Sequence, residues 1–248
     1  MANPLEQFEI TPLVPLRLAG YDVSFTNSAG FMTLILLLVV GFLFMGTRRL
    51  ALVPGRWQAA VEELHDFVGG MIDENIGPKG RPFLPFIFAL FLFILVSNLV
   101  GLFPYSFTVT SHIAVTFAFA AFIFVLCIGI GFAKHGLHFF ELFVPPQTPI
   151  VLLPLIVLIE IISYLSRPLT LSVRLFANMT AGHILLEVFA GFIISLGLAG
   201  GAAMLLAPLP FLMNVMLYAL ELLVAVVQAY VFALLTCVYL NDSINLAH

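Results

Sequence analysis

Charged residues are scarce in this sequence: they make up 9% of its 248 residues against 62% that are hydrophobic, and the mean hydropathy is +1.16. No soluble globular domain has that balance, so the chain is read as an integral membrane protein. The net charge of −4 says little beside where the nine Lys and Arg sit. Cysteine is nearly absent. Cys127 and Cys237 each fall in an apolar helical segment and read as buried small hydrophobes rather than a disulfide or a metal site, so no redox chemistry, metal or cofactor is expected. The N-terminus, MANPLEQFEITP, lacks the basic region of a signal peptide, and the first helix is expected to insert the chain. No internal repeat is found, inverted or parallel, which counts against a proton-coupled secondary transporter built from duplicated halves. There is no HExxH, no aspartate-rich pair and no glycine-rich phosphate loop, which counts against an intramembrane enzyme.

Apolar runs are abundant. A spanning helix needs roughly 20 apolar residues for a hydrocarbon core of about 30 Å, and residues 31–45, 83–103 and 113–132 read as single crossings. Residues 150–198 and 209–240 would be roughly 70 and 48 Å long as continuous helices, which demands strong tilt, a kink at Pro154 or Pro168, or both. The fold expected is therefore one all-α membrane domain over 1–248, with an external segment over 1–30, five crossings and a long, strongly tilted C-terminal helical hairpin. Residues 56–71 carry Trp57, Ala60, Val61, Leu64, Phe67, Val68 and Met71 at helical spacing and read as an amphipathic helix lying on the inner surface. Its other face has Glu62, Glu63 and Asp66, which suits a protein partner better than anionic lipid. Arg48, Arg49, Arg56, Lys79 and Arg81 crowd the first connection and Lys134 follows the third crossing, placing the N-terminus outside and the C-terminus inside.

The few polar residues inside these runs are the candidates for function. Glu160, Arg167 and Arg174 are spaced by seven, so they drift by only about 40° in total and form one stripe, which Asn178 continues. His183 and Glu187 follow on nearly the opposite side, so the helix has two wet faces at different depths. The last segment has its own stripe, Asn214, Glu221 and Gln228, again in steps of seven. In an antiparallel hairpin Gln228 comes level with Arg174 and Glu221 with His183. Asn178 and Asn214 also fit plain interhelical hydrogen bonding. Arg167, beside Pro168 near the inner end, is expected to snorkel to the interface, and Glu187 can reach the outer one in the same way. Glu160, His183 and Glu221 fit an ion or proton route. Arg174 cannot carry protons, because a guanidinium does not deprotonate in proteins, and holding it in the membrane costs at least ~3 kcal/mol. It can instead hold a carboxylate of another chain, since an opposite charge within about 4–6 Å lowers a carboxyl pKa by roughly 1–3 units.

The segments LSVRLFANMTAGH (171–183) and QAYVFALLTCVYL (228–240) closely resemble subunit a of F-type ATP synthases, and the resemblance extends from NPLEQFEITP over essentially the whole chain. NPLEQFEI also resembles the mitochondrial branch, which suggests a bacterium related to it. The resemblance implies a proton-conducting stator in a bacterial inner membrane, with two offset half-channels that load and unload carboxylates of a rotating c-ring. The implied partners are the c-ring, the b/b′ peripheral stalk, the rest of the complex and membrane lipid, with no nucleic acid and no catalysis by this chain alone. Arg174 matches the family's essential arginine, Asn178 the asparagine one turn on, Gln228 the facing glutamine and Glu160 the glutamate of the inner half-channel. His183 and Glu221 stand where some bacterial members carry glutamate and histidine, so the acid and the base look exchanged in the outer channel, where Glu187 can assist.

Overall fold

The computed structural model describes residues 11–15, 17–18, 21–22, 24–48, 50–103, 106–144, 152–200 and 206–245. Six α-helices follow one another among them: α1 Asn27–Thr47, α2 Arg56–Asn75, α3 Leu84–Gly101, α4 Ile113–His135, α5 Leu153–Ala199 and α6 Pro208–Ile244. All but α2 are long and apolar enough to cross a membrane, α3 together with the 3-10 turn Pro78–Phe83 that leads into it. The expected all-α architecture is present.

The ends differ from the expectation for local reasons. α1 starts at Asn27 rather than at 31 because Thr26 Oγ1 accepts the Ala29 N–H at 3.4 Å and Asn27 Oδ1 accepts the Ser28 N–H at 2.8 Å, which caps the first turn. Ahead of it, in what reads as a plain external segment, two short antiparallel ladders form: β1 (Pro12–Val14) pairs with β4 (Phe25–Thr26), and β2 (Arg17–Leu18) with β3 (Tyr21–Asp22). Residues 1–10, which carry most of NPLEQFEITP, lie outside the described residues, as does the 201–205 part of the turn between the two long helices.

α5 has 47 residues and α6 has 37, or roughly 70 and 55 Å at 1.5 Å per residue, well beyond a hydrocarbon core of about 30 Å. Pro154 is no kink: it is the second residue of α5, where the missing N–H has no partner to lose. Pro168 lies inside α5, and the helix runs on through it. Gly200, just past the end of α5, takes a φ of 64°, the left-handed conformation in which glycine ends helices without strain.

The chain divides into two compact units, the first drawn from Met1–Val40, Phe93–His112 and Leu175–Ala229, the second from Gly41–Leu92, Ile113–Arg174 and Tyr230–His248. α1, α3, α5 and α6 each contribute a part to both. In the first unit Leu102, Met179 and Ala225 form a buried apolar cluster with Leu99 beside it. Asn98, fully buried on α3, donates its amide to the Ala225 carbonyl at 3.1 Å.

In the second unit α2 packs on α1 and α3. The buried face of α2 is Gln58, Val61, Val68, Met71 and Ile72, whereas Trp57 and Phe67 of the expected stripe stay about half exposed. Gln58 can go inside because its amide is satisfied: Oε1 accepts from the Ala51 N–H, and Nε2 donates to the Ala51 carbonyl and to Glu62, at 3.1, 3.1 and 2.8 Å. At the far end Arg81 makes a two-pronged bond to Asp73, 3.1 Å on each arm, which holds that carboxyl below its ordinary range. Gly46 brings α1 against α2; a Cβ there would overlap the Val61 side chain and stand 3.2 Å from the Trp57 carbonyl oxygen, whereas one at Gly41 would meet nothing within 4 Å. Gly46→Leu should therefore lower the thermal midpoint of the purified protein, by an overpacking cost of about 1–3 kcal/mol, while Gly41→Leu leaves it unchanged. Equal midpoints for the two variants in a thermal melt would refute this packing.

Candidate functional site: two polar clusters on the long helices

α5 carries Glu160, Arg167 and Arg174 in the second unit, and their surroundings differ. Arg167, expected to snorkel, has a charge partner within the chain. Its Nη1 donates to Asp242 Oδ2 of α6 at 2.6 Å, and its guanidinium lies 4.8 Å from the Tyr164 ring centre and 5.2 Å from that of Tyr239. A partner carboxylate and two aromatic faces satisfy the charge better than a stretched path to the interface. Glu160 is half-buried and makes no hydrogen bond or ion pair among the described residues. Arg174 is exposed, on a face it shares with Leu169, Thr170 and Val173, and no carboxylate of the described residues stands within 4.0 Å of it.

The first unit holds the other cluster. His183 on α5 and Glu221 on α6 come together, as an antiparallel hairpin implies, with Nε2 at 3.8 Å from Oε1. Glu221 is only 3% exposed, and neither of its oxygens has a hydrogen-bond partner among the described residues. Gly182 makes the approach possible: a Cβ there would stand 2.6 Å from Glu221 Oε1. Gln228 meets Asn178, whose Nδ2 donates to Gln228 Oε1 at 3.0 Å. Asn214 Oδ1, Glu187 Oε2 and Gln228 Nε2 are buried and without a hydrogen-bond partner among the described residues, so the unit holds buried polar atoms with hydrogen-bonding capacity to spare.

Three neighbours of these residues escape a reading by apolar pattern. Asp242 sits beyond the last apolar run, yet it neutralises Arg167. Asn98 is a lone amide in an apolar helix, a signal that was there to be read. Thr108 lies in the connection after α3 and places its Oγ1 at 3.0 Å from His183 Nε2.

The profile of a family described as the ATP synthase A chain matches residues 30–241. The chain belongs to that family. It is 53% identical over 246 residues to an ATP synthase subunit a of Mesorhizobium japonicum (99% of this chain and 98% of that one), and 54% identical over 246 residues to that of a Chelativorans species (99% and 99%). To the same subunit of Rhodospirillum rubrum it is 51% identical over 246 residues, covering 99% of this chain and all of that one. Family membership and the apolar helices make it a multi-pass membrane component of an ATP synthase. The matched residues take in every member of both clusters except Asp242, which falls one residue beyond them. The Arg167–Asp242 pair is three-quarters shielded from solvent and charge-assisted. Asp242→Asn should lower the thermal midpoint of the solubilised complex by the few degrees that about 1–3 kcal/mol amounts to. Arg167→Gln added to it should then cost less than Arg167→Gln alone; equal losses in the two backgrounds would show that the pair is not coupled.

Proposed function

We propose that this chain is the non-catalytic, proton-conducting stator of the membrane motor, and that Arg174 is the fixed cation facing the carboxylates of a c-ring. The observation that carries the reading is the exposure of Arg174 on α5, beside the exposed Leu169 and Val173, with no described carboxylate at ion-pair distance. A guanidinium at membrane depth needs a counter-charge, and a helix face of this kind is a side wall on which another helix can bring one. An arriving carboxylate beside Arg174 gives up its proton, and one that has left takes a proton again.

On this reading the outer half-channel is built on His183, Glu221, Glu187 and Asn214 in the first unit, and the inner one on Glu160 in the second. Asn178 and Gln228 are polar groups near the cation along the two helices. The membrane is a bacterial inner membrane with the N-terminus periplasmic and the C-terminus cytoplasmic, as the loop arginines and lysines favour. α2 lies on the cytoplasmic side. Its exposed Glu62, Glu63 and Asp66 suit a protein partner there, and the b/b′ stalk subunits are the partners proposed.

Arg174→Ala should abolish ATP-driven acidification of inverted vesicles and ATP synthesis while the complex still assembles. Acidification at the parent rate by an assembled variant would sink the assignment. The His183 and Glu221 pair offers a second test. An imidazole beside a carboxylate can pass a proton to it and take one back, and the two should behave as a unit whichever helix carries each. His183→Glu and Glu221→His should each impair proton-driven ATP synthesis, and the double exchange should recover a substantial part of it. A double variant no better than the worse single one would separate the two residues.

A further inference from the structure

Residues 107–111, between α3 and α4, fold inward rather than lying on the surface. Phe107, Thr108, Val109, Thr110 and Ser111 are each 6% exposed or less. The segment supplies its own partners: Ser106 Oγ donates to the Val100 carbonyl at 2.6 Å, Ser111 Oγ to the Thr108 carbonyl at 2.6 Å, and Phe107 stacks on His112 at 4.9 Å. Thr180 Oγ1 of α5 reaches the Ser111 carbonyl at 3.5 Å. Gly101 lets the segment approach α3, since a Cβ there would stand 2.7 Å from Thr108 Cγ2.

The fold-back delivers one hydroxyl to the first unit's cluster. His183 Nε2 has Thr108 Oγ1 at hydrogen-bond distance, 3.0 Å, and Glu221 Oε1 just beyond it, at 3.8 Å, so the nitrogen bonded to the hydroxyl is also the one beside the carboxylate. Thr108 Oγ1 also lies 3.3 Å from the Gly101 carbonyl. A hydroxyl has one proton to give and lone pairs to accept with. With a proton on Nε2, Thr108 accepts it and turns its own hydrogen to Gly101. With Nε2 bare, the hydroxyl turns and donates to the ring. The oxygen need not move between the two states.

We propose that Thr108 is a positioning residue for proton transfer at His183, holding Nε2 toward Glu221 whether or not that nitrogen carries a proton. The inference rests on the reading of His183 and Glu221 as the outer-channel pair. For the step itself the imidazolium turns its Nε2 proton from Thr108 Oγ1 to Glu221 Oε1 and passes it to that carboxylate, leaving a neutral imidazole and a carboxylic acid while Thr108 donates to the bare Nε2, and the reverse step restores all three groups. It needs no other reactant.

The test uses whole ATP synthase in energised vesicles, with synthesis rates normalised to the assembled complex. Thr108→Val keeps the shape and removes the hydroxyl; it should lose about fivefold, the factor that goes with one hydrogen bond of about 1 kcal/mol. Thr108→Ser keeps the hydroxyl and loses the methyl, and should stay close to the parent rate. In a His183→Gln background Thr108→Val should add no further loss. The proposal is overturned by a parent rate for Thr108→Val, by a serine variant as slow as the valine one, or by an undiminished fivefold loss in the His183→Gln background. If Thr108→Val does not accumulate, Thr108→Ala takes its place, and failure of both to assemble would make the hydroxyl structural and overturn the proposal as well. A parent rate for His183→Gln alone is a separate outcome: it removes the outer-channel reading itself, and the proposal with it.

Discussion

A charge taken out of water must find a partner, and the long helices are organised around that demand. Arg167 and Arg174 lie seven residues apart on α5, and the first finds Asp242 at 2.6 Å with two tyrosine rings about it. The second is exposed, with no described carboxylate at ion-pair distance. The cost of an uncompensated arginine at membrane depth, at least ~3 kcal/mol, is large beside the marginal stability of a fold. On the proposed reading Arg174 is where another chain brings the missing charge, whereas Arg167 has its partner within this chain.

The same demand, applied to smaller groups, accounts for the glycines and amides of the first unit. Glu221 is almost fully buried, and its carboxylate reaches the His183 side only because Gly182 has no Cβ. Thr108 reaches the same imidazole only because Gly101 has none. Asn98 ties α3 to α6 at Ala225, one turn after Glu221, so the carboxylate sits on a helix held by a buried amide. Specific close approach, rather than apolar burial alone, fixes this cluster.

How much of this was legible in the sequence follows from what is local and what is not. The five long helices could be read because a lipid-facing segment must be apolar over roughly 20 residues, which leaves a continuous record in the chain. The His183–Glu221 contact could be read because an antiparallel hairpin of the two long apolar segments brings Glu221 level with His183. The buried face of α2 could not be read in full, since burying Gln58 depends on the backbone of Ala51, seven residues away, being free to receive it. The fate of Arg167 depends on Asp242, 75 residues on, and no periodicity connects the two. Thr108 was invisible for a different reason: short polar stretches between crossings ordinarily belong to the surface, and only the close approach at Gly101 turns this one inward. The paired strands before α1 are two or three residues long, too short for alternation to show.

The lengths of α5 and α6 then acquire a reason. From Glu160 to Glu187 the polar residues of α5 extend over 27 residues, about 40 Å of helix, against a hydrocarbon core of about 30 Å. An upright helix would put one end of that series in water, where Glu160 or Glu187 would be an ordinary surface group with nothing to relay. On the proposed reading a strongly inclined helix would keep the whole series within the low-dielectric layer while its two ends reach different depths. The paired helix is long as well: its 37 continuous residues set Gln228 beside Asn178 and Glu221 beside His183. An ordinary crossing of about 20 residues could hold one such cluster; two clusters on one pair of helices, each with a cation or an acid of its own, require the extra turns that α5 and α6 have.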